Sequence, residues 1–196
     1  MGQYANLGEP DYIDDNGFDT RYSARPGKIL YGMNMAFNAS LRSKDPSTKC
    51  GCFFTDEDGG SLVTGYNSPL RGVKCSKVPM DRPRKYYHFE HSERNAIYQS
   101  SKRGISLDKS IVYVNGFPCI DCSRGMIHSG VTEIYYGPCT PKMCADEELY
   151  KEYEIIFSGE TCKLIKFRYL QGLIDLNPNF KDRVEGQLPM EWEFNV

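Results

Sequence analysis

The sequence predicts an α/β fold in which one sheet carries helices on both faces. Three observations lead there. A strong hairpin signal, Asp58-Gly59-Gly60, separates two strand-like runs, CGCFF at 50–54 and SLVTGY at 61–66. Beyond it, the apolar pattern switches repeatedly between helical and strand spacing. A hairpin followed by alternating helices and strands packs as layers around a single sheet.

The elements follow in order. Residues 26–43 place Ile29, Met33, Ala36 and Phe37 at helical spacing, with Pro26 near the start. After the hairpin, residues 67–90 form a long polar connection with several prolines. A helix is expected from about 91 to 103, stopped by Gly104. IVYVN at 111–115 reads as a strand, 119–129 as a helix ended by Gly130, and TEIYYG at 132–137 as another strand. ADEELYKEYEIIF at 145–157 reads as a helix and CKLIKFRYL at 162–170 as a strand. Residues 1–25 read as an acidic, irregular arm, 26–175 as the folded domain, and 176–196 as a tail that Trp192 and Phe194 anchor.

A length of 196 residues suits one domain with a sizeable core. No apolar run approaches a bilayer span, and the N-terminus lacks the look of a secretory or transit signal, so the expected setting is the cytoplasm, with no membrane partner. In a reducing compartment the eight cysteines read as metal ligands, redox groups or buried apolar residues. A net charge of −2 argues against a general nucleic-acid binder but leaves room for a local basic site.

The chemistry sits in His91-Ser92-Glu93 and Pro118-Cys119-Ile120-Asp121-Cys122, each opening a predicted helix. Cys119 and Cys122 are three apart, so a helix puts both sulfurs on one face, and its N-terminus favours thiolate over thiol. Pro118 suits the first turn of that helix. Two thiolates and an imidazole form a donor set for Zn2+, and three protein ligands leave a fourth tetrahedral position to water, as in catalytic sites. Glu93, two residues past His91, is placed as proton carrier rather than ligand. Either segment alone has a plainer reading: a charge pair at a helix start, or a half zinc ribbon, redox pair or buried pair of cysteines. Together, in this order, they match the zinc deaminase pattern.

At this point the chain resembles the deoxycytidylate (dCMP) deaminases of the cytidine deaminase-like superfamily, over roughly residues 27–137. SLRSKDPSTKCGC (40–52), GYNSPLRGV (65–73), HSERNAI (91–97) and PCIDC (118–122) carry the likeness. The resemblance implies a three-layer α/β/α sandwich with a mixed central sheet of about five strands. It implies hydrolysis of dCMP to dUMP, which feeds thymidylate synthesis. It also implies a homo-oligomer, hexamer or dimer, controlled by dCTP and dTTP with Mg2+. By that resemblance Asn67 would contact the sugar, Ser43 and Lys49 would lie near the phosphate, and backbone groups near Ser92 and Phe117 would hold the base. Glu93 would take a proton from water, protonate N3 and assist the departing ammonia. The chain departs from the family in Ser92, where Ala is usual, in Cys50-Gly51-Cys52, where Val-Gly-Ala is common, and in the proline position of GYNSPLRG.

One argument is independent of the family. Residues 71–88 hold Arg71, Lys74, Lys77, Arg82, Arg84 and Lys85 against one acid, Asp81, and lead directly into the His91 helix. Such a segment suits a phosphorylated substrate or effector, with an incidental solvated loop as the plain alternative. His88 and Cys75, with another cysteine, could build a structural zinc site. Competing functions are deamination of a 5-substituted dCMP, dCTP, a nucleoside or tRNA adenosine. Outside the enzymes stand a zinc-stabilised binding module and an inactive deaminase relative.

Overall fold

A computed structural model of the chain describes residues 12–139 and 147–185. Five strands form the main sheet: β1 (Gly51–Thr55), β2 (Ser61–Tyr66), β5 (Ile111–Gly116), β6 (Glu133–Cys139) and β7 (Lys163–Lys166). Two two-residue strands, β3 (Ser68–Pro69) and β4 (Phe89–Glu90), pair separately. The helices are α1 (Lys28–Ser40), α2 (Ser92–Arg103), α3 (Ile120–His128), α4 (Glu147–Ile156), α5 (Leu170–Leu176) and α6 (Lys181–Glu185).

The sheet order is β2-β1-β5-β6-β7, with β1 antiparallel to both neighbours and β5, β6 and β7 parallel. Parallel neighbours need crossover connections, and α3 and α4 supply them. Every residue of β1 is buried because the strand is central and covered on both faces. Side-chain alternation divides the core. Cys52, Phe54, Val112, Val114, Ile134 and Leu164 face the layer of α2, α3 and α4. Phe53 and Tyr113 face α1, together with Leu173 of α5, Phe180 and Val184 of α6. The α/β/α sandwich with a mixed five-stranded sheet is therefore observed as expected.

The hairpin turn is tied by Asp56, whose carboxylate accepts from the backbone N–H of Asp58 and Gly60 at 3.0 and 2.6 Å, while Gly59 takes φ +91°. Gly65 matters for the site. A Cβ there would collide with the Ser92 carbonyl oxygen, so only glycine lets β2 lie against the start of α2.

Three expectations change. The strand expected over 162–170 ends at Lys166, and the chain turns into α5, which buries Leu173 against the α1 face. The described part of the 176–196 tail forms a short 3-10 turn and α6, with Phe180 fully buried. Pro118 lies outside α3, because Cys119 is the N-cap and the helix begins at Ile120. Trp192 and Phe194 lie outside the described residues. Among the described residues no helix is long and apolar enough to cross a membrane.

Candidate metal centre and active site

His91 and Cys119 occupy equivalent places, the N-caps of α2 and α3. Both have extended backbone, and neither side chain caps its helix. A capping Ser, Thr or Asp would typically add about 1 kcal/mol to each helix. The side chains instead turn toward one another, and the helix termini lend their partial positive charge to the space between. Cys122, one turn into α3, is fully buried on the same side.

His91 Nδ1 lies 3.4 Å from Cys119 Sγ and 3.5 Å from Cys122 Sγ, and all three donor atoms fall within 4.8 Å of one another. Tetrahedral zinc with ordinary Zn–N and Zn–S bonds requires N···S separations of about 3.6 Å. Chemistry and spacing of the donor set thus both fit a zinc ion. Among the described residues this is the one cluster of three or more such donors. The Cys122 thiol bonded to Cys119 holds the Cys119 thiol far below its usual range; burial opposes this, and His91 reinforces it. Cys122, beside that thiolate and buried, is pushed far up. The Cys119 contact raises His91, against the effect of burial. A divalent cation would hold both sulfurs as thiolates.

Glu93 is buried next to this cluster at 5% exposure. Burial pushes its carboxyl up, and the opposing pull of Ser92 and His91 does not cancel the effect. A buried carboxyl tuned upward in this way suits a group that must both accept and release a proton. The Ser92 hydroxyl, itself fully buried, donates to Glu93 Oε2 at 2.7 Å and fixes the carboxylate rotamer.

The supports come from several elements. Arg94 donates to Glu90 at 2.6 Å, and Glu90 also accepts the His91 N–H at 3.0 Å. Asn95 ties α2 to the Tyr66 carbonyl at 2.9 Å and to Ser68 at 3.1 Å. Phe117 is buried and packs edge-on against Tyr136 and Tyr153, with centroids 5.0 and 4.8 Å away. Tyr153 donates to the Pro118 carbonyl at 2.7 Å and so holds the turn into Cys119. Asn115 accepts from Gly51 N and donates to the Lys49 carbonyl, at 2.9 and 3.0 Å. Tyr153 and Asn115 escape sequence reading. Their one signal is general: a polar group inside a strand or an apolar helix face needs a partner when buried.

The residues expected to touch substrate are placed less uniformly. Asn67 is buried, but its Nδ2 donates to the Thr48 carbonyl at 2.8 Å and to Asp45 at 3.3 Å, while its Oδ1 accepts from Cys50 N at 2.9 Å. Ser43 is buried with its hydroxyl accepting the Asp45 N–H at 3.1 Å. Lys49 and Arg71 are exposed. Of the basic loop, Arg84 forks onto Asp81 at 2.9 and 2.8 Å, and Lys85 is not at the surface at all. Cys75 is exposed beside the Lys44 ammonium at 3.2 Å, and the structure gathers no metal cluster around it or His88 among the described residues.

Comparison with known proteins gives a consistent picture. Residues 27–138 match the cytidine and deoxycytidylate deaminase zinc-binding region. The chain is 36% identical over 108 residues to a probable deoxycytidylate deaminase of Caenorhabditis elegans, covering 53% of this chain and 54% of that protein. It is 30% identical over 112 residues to the deoxycytidylate deaminase of Homo sapiens, covering 54% and 62% of the two chains. The matched region is thus little more than half the length of these curated relatives. In fold it resembles the dCMP deaminase of cyanophage S-TIM5 in complex with dCMP and dUMP, with a TM-score of 0.57 at 21% identity, over 69% of this chain and 93% of that one.

Proposed function

Since the chain belongs to the cytidine and deoxycytidylate deaminase zinc-binding family, we propose that it hydrolyses dCMP to dUMP and ammonia, with zinc held by His91 Nδ1, Cys119 Sγ and Cys122 Sγ and Glu93 as the proton carrier. One observation carries this reading: the imidazole and both sulfurs converge beside a buried carboxylate. A structural zinc takes four protein ligands, whereas three gather among the described residues, so a binding module is the poorer fit.

When bound, the ion supplies Lewis-acid polarisation of the attacking water. The Glu93 carboxylate accepts a proton from that water and delivers it to N3 of the cytosine ring. The water oxygen bonds to C4, the C4–N4 bond breaks, and Glu93 passes the second water proton to the departing amine, which leaves as ammonia. Ser92 keeps one carboxylate oxygen engaged throughout, leaving Oε1 for the transfers. Burial of Glu93 shields this exchange from bulk water.

Family likeness extends the proposal to a cytoplasmic homo-oligomer, hexamer or dimer, that supplies dUMP for thymidylate synthesis and answers to dCTP and dTTP with Mg2+. Substrate contacts through Asn67, Ser43, Lys49, Arg71 and the backbone at Ser92 and Phe117 belong to the same proposal. The deciding experiment measures ammonia release from dCMP, dCTP, deoxycytidine and 5-methyl-dCMP, with zinc content on the same sample. Turnover of dCMP above the others, at one zinc per chain, is expected. A zinc-loaded protein inert toward all four would overturn the reading.

A further inference from the structure

Lys85 is the one cation of the basic loop that the fold buries. It lies on a 3-10 turn, Arg84–Tyr87, shortly before His91, and retains 2% of its exposure. Its ammonium donates to Asp45 Oδ1 at 2.9 Å, Asp45 Oδ2 at 2.7 Å and Ser47 Oγ at 3.3 Å. These contacts use all three of its protons. The partner is equally committed: Asp45 accepts the backbone N–H of Ser47 at 2.8 Å and of Thr48 at 3.2 Å, and its Oδ2 accepts from Asn67 Nδ2 at 3.3 Å. Asn67 passes the connection on. Its side chain holds Thr48 and Cys50, and its chain neighbours Tyr66 and Ser68 are held by Asn95 of the metal-bearing helix.

We infer that Lys85 is a positioning residue, whose buried pairing with Asp45 clips the 67–90 loop to the 43–50 loop and fixes the Asn67 amide at the substrate side of the site. The physical argument turns on what an ion pair does that an apolar pair does not. Two buried charges add little net stability over a well-packed apolar pair, because both must be desolvated. They do tolerate only one arrangement, since any slip leaves a charge or donor unpaired in a low-dielectric interior. A register device is useful where two long polar segments must meet at fixed geometry. Both segments here lack a regular sheet or helix to align them, β3 and β4 contributing only two residues each. The pair thus sets where dCMP meets the protein and takes no part in bond making.

This inference rests on the proposed deaminase activity, and its test separates the two. Removing one charge alone would strand the other, so the informative variant is the double substitution D45N/K85M. Asn keeps an acceptor for the Ser47 and Thr48 N–H groups, and Met keeps the volume of the lysine stem. In the zinc-loaded protein, amide hydrogen exchange in 43–50 and 67–70 should speed up while that of 92–103 stays as in wild type. The KM for dCMP should rise about tenfold, the equivalent of one charged hydrogen bond, with kcat within about threefold of wild type and zinc content unchanged. Unaltered exchange in both loops shows there is no clip and overturns the inference. Faster exchange with an unmoved KM reduces the pair to a structural contact and overturns it equally. Failure of wild type to deaminate dCMP sinks the functional reading instead, and hydrogen exchange still decides whether the clip exists.

Discussion

Glu93 shows how much one side chain depends on its immediate neighbours. It is buried at 5% exposure, its carboxyl is pushed up by that burial, and a serine hydroxyl holds one of its oxygens. Glu93→Gln keeps shape and burial but removes the exchangeable carboxylate. It should retain full zinc content by metal analysis and lose roughly 10²–10⁴-fold in kcat, the usual scale for a positioned acid–base group. Ser92→Ala is a gentler probe. Glu93 stays in place but loses its orienting hydrogen bond, a charged contact worth about 1.5–3 kcal/mol. We expect about a tenfold lower kcat with KM and zinc unchanged; an unaffected kcat would show that the rotamer is held by packing alone.

The two helices that open on His91 and Cys119 were visible as helices, and their motifs were visible as motifs. Their equivalence was not. His91 and Cys119 are both N-caps, so each helix forgoes a side-chain cap and points a ligand out of its first turn. The expected start at 119 is one residue early, because Cys119 is the N-cap and α3 begins at Ile120. A third element steadies the turn into Cys119: Tyr153 of α4 reaches the Pro118 carbonyl from far along the chain. Tyr153→Phe should leave the α4 packing intact and strip that bond. A loss of about 1 kcal/mol, some 2–4 °C in melting temperature for a chain of this size, is expected, together with weaker zinc retention against a chelator. An equal fall in melting temperature with unaltered zinc retention would confine Tyr153 to fold stability.

Across the whole molecule, the two faces of the sheet divide the labour. The face of α2, α3 and α4 carries the candidate site, and the opposite face, with α1, α5 and α6, carries bulk packing. Phe180, from the segment read in the sequence as a tail, is fully buried against Phe37, with ring centroids 5.0 Å apart. Phe180→Ala should destabilise the fold by about 3–5 kcal/mol in denaturant unfolding, which a dispensable tail would not do. Arg183 of the same segment donates to Ser40 and to the Lys49 carbonyl, both at 2.9 Å, so α6 also braces the 43–50 loop. Stability should follow pH through Asp45. Burial raises its carboxyl, but the Lys85 ammonium and the N–H groups of Ser47 and Thr48 outweigh that and hold it below the ordinary 3.8. A carboxyl depressed in the folded state contributes stability fully above the unfolded value and loses it as pH falls through the folded one. Unfolding free energy should therefore drop below about pH 4 in wild type, and drop less steeply in the D45N/K85M double variant measured over the same range.

The sequence alone determined the layered α/β class, the imidazole and sulfur donor set of the candidate metal centre and the carboxylate proposed as its proton carrier. Each of these is written in short-range pattern: His91-x-Glu93, Cys119-x-x-Cys122, the Asp58-Gly59-Gly60 turn and the alternating periods between them. Only the tertiary structure decided that Lys85 lies inside, that Asn67 spends its amide on the neighbouring loop, and that the C-terminal segment closes a core. The reason is one of range. A motif reports which atoms can bond, whereas a lysine in a basic loop is buried or solvated according to whether a carboxylate forty residues away arrives at its ammonium.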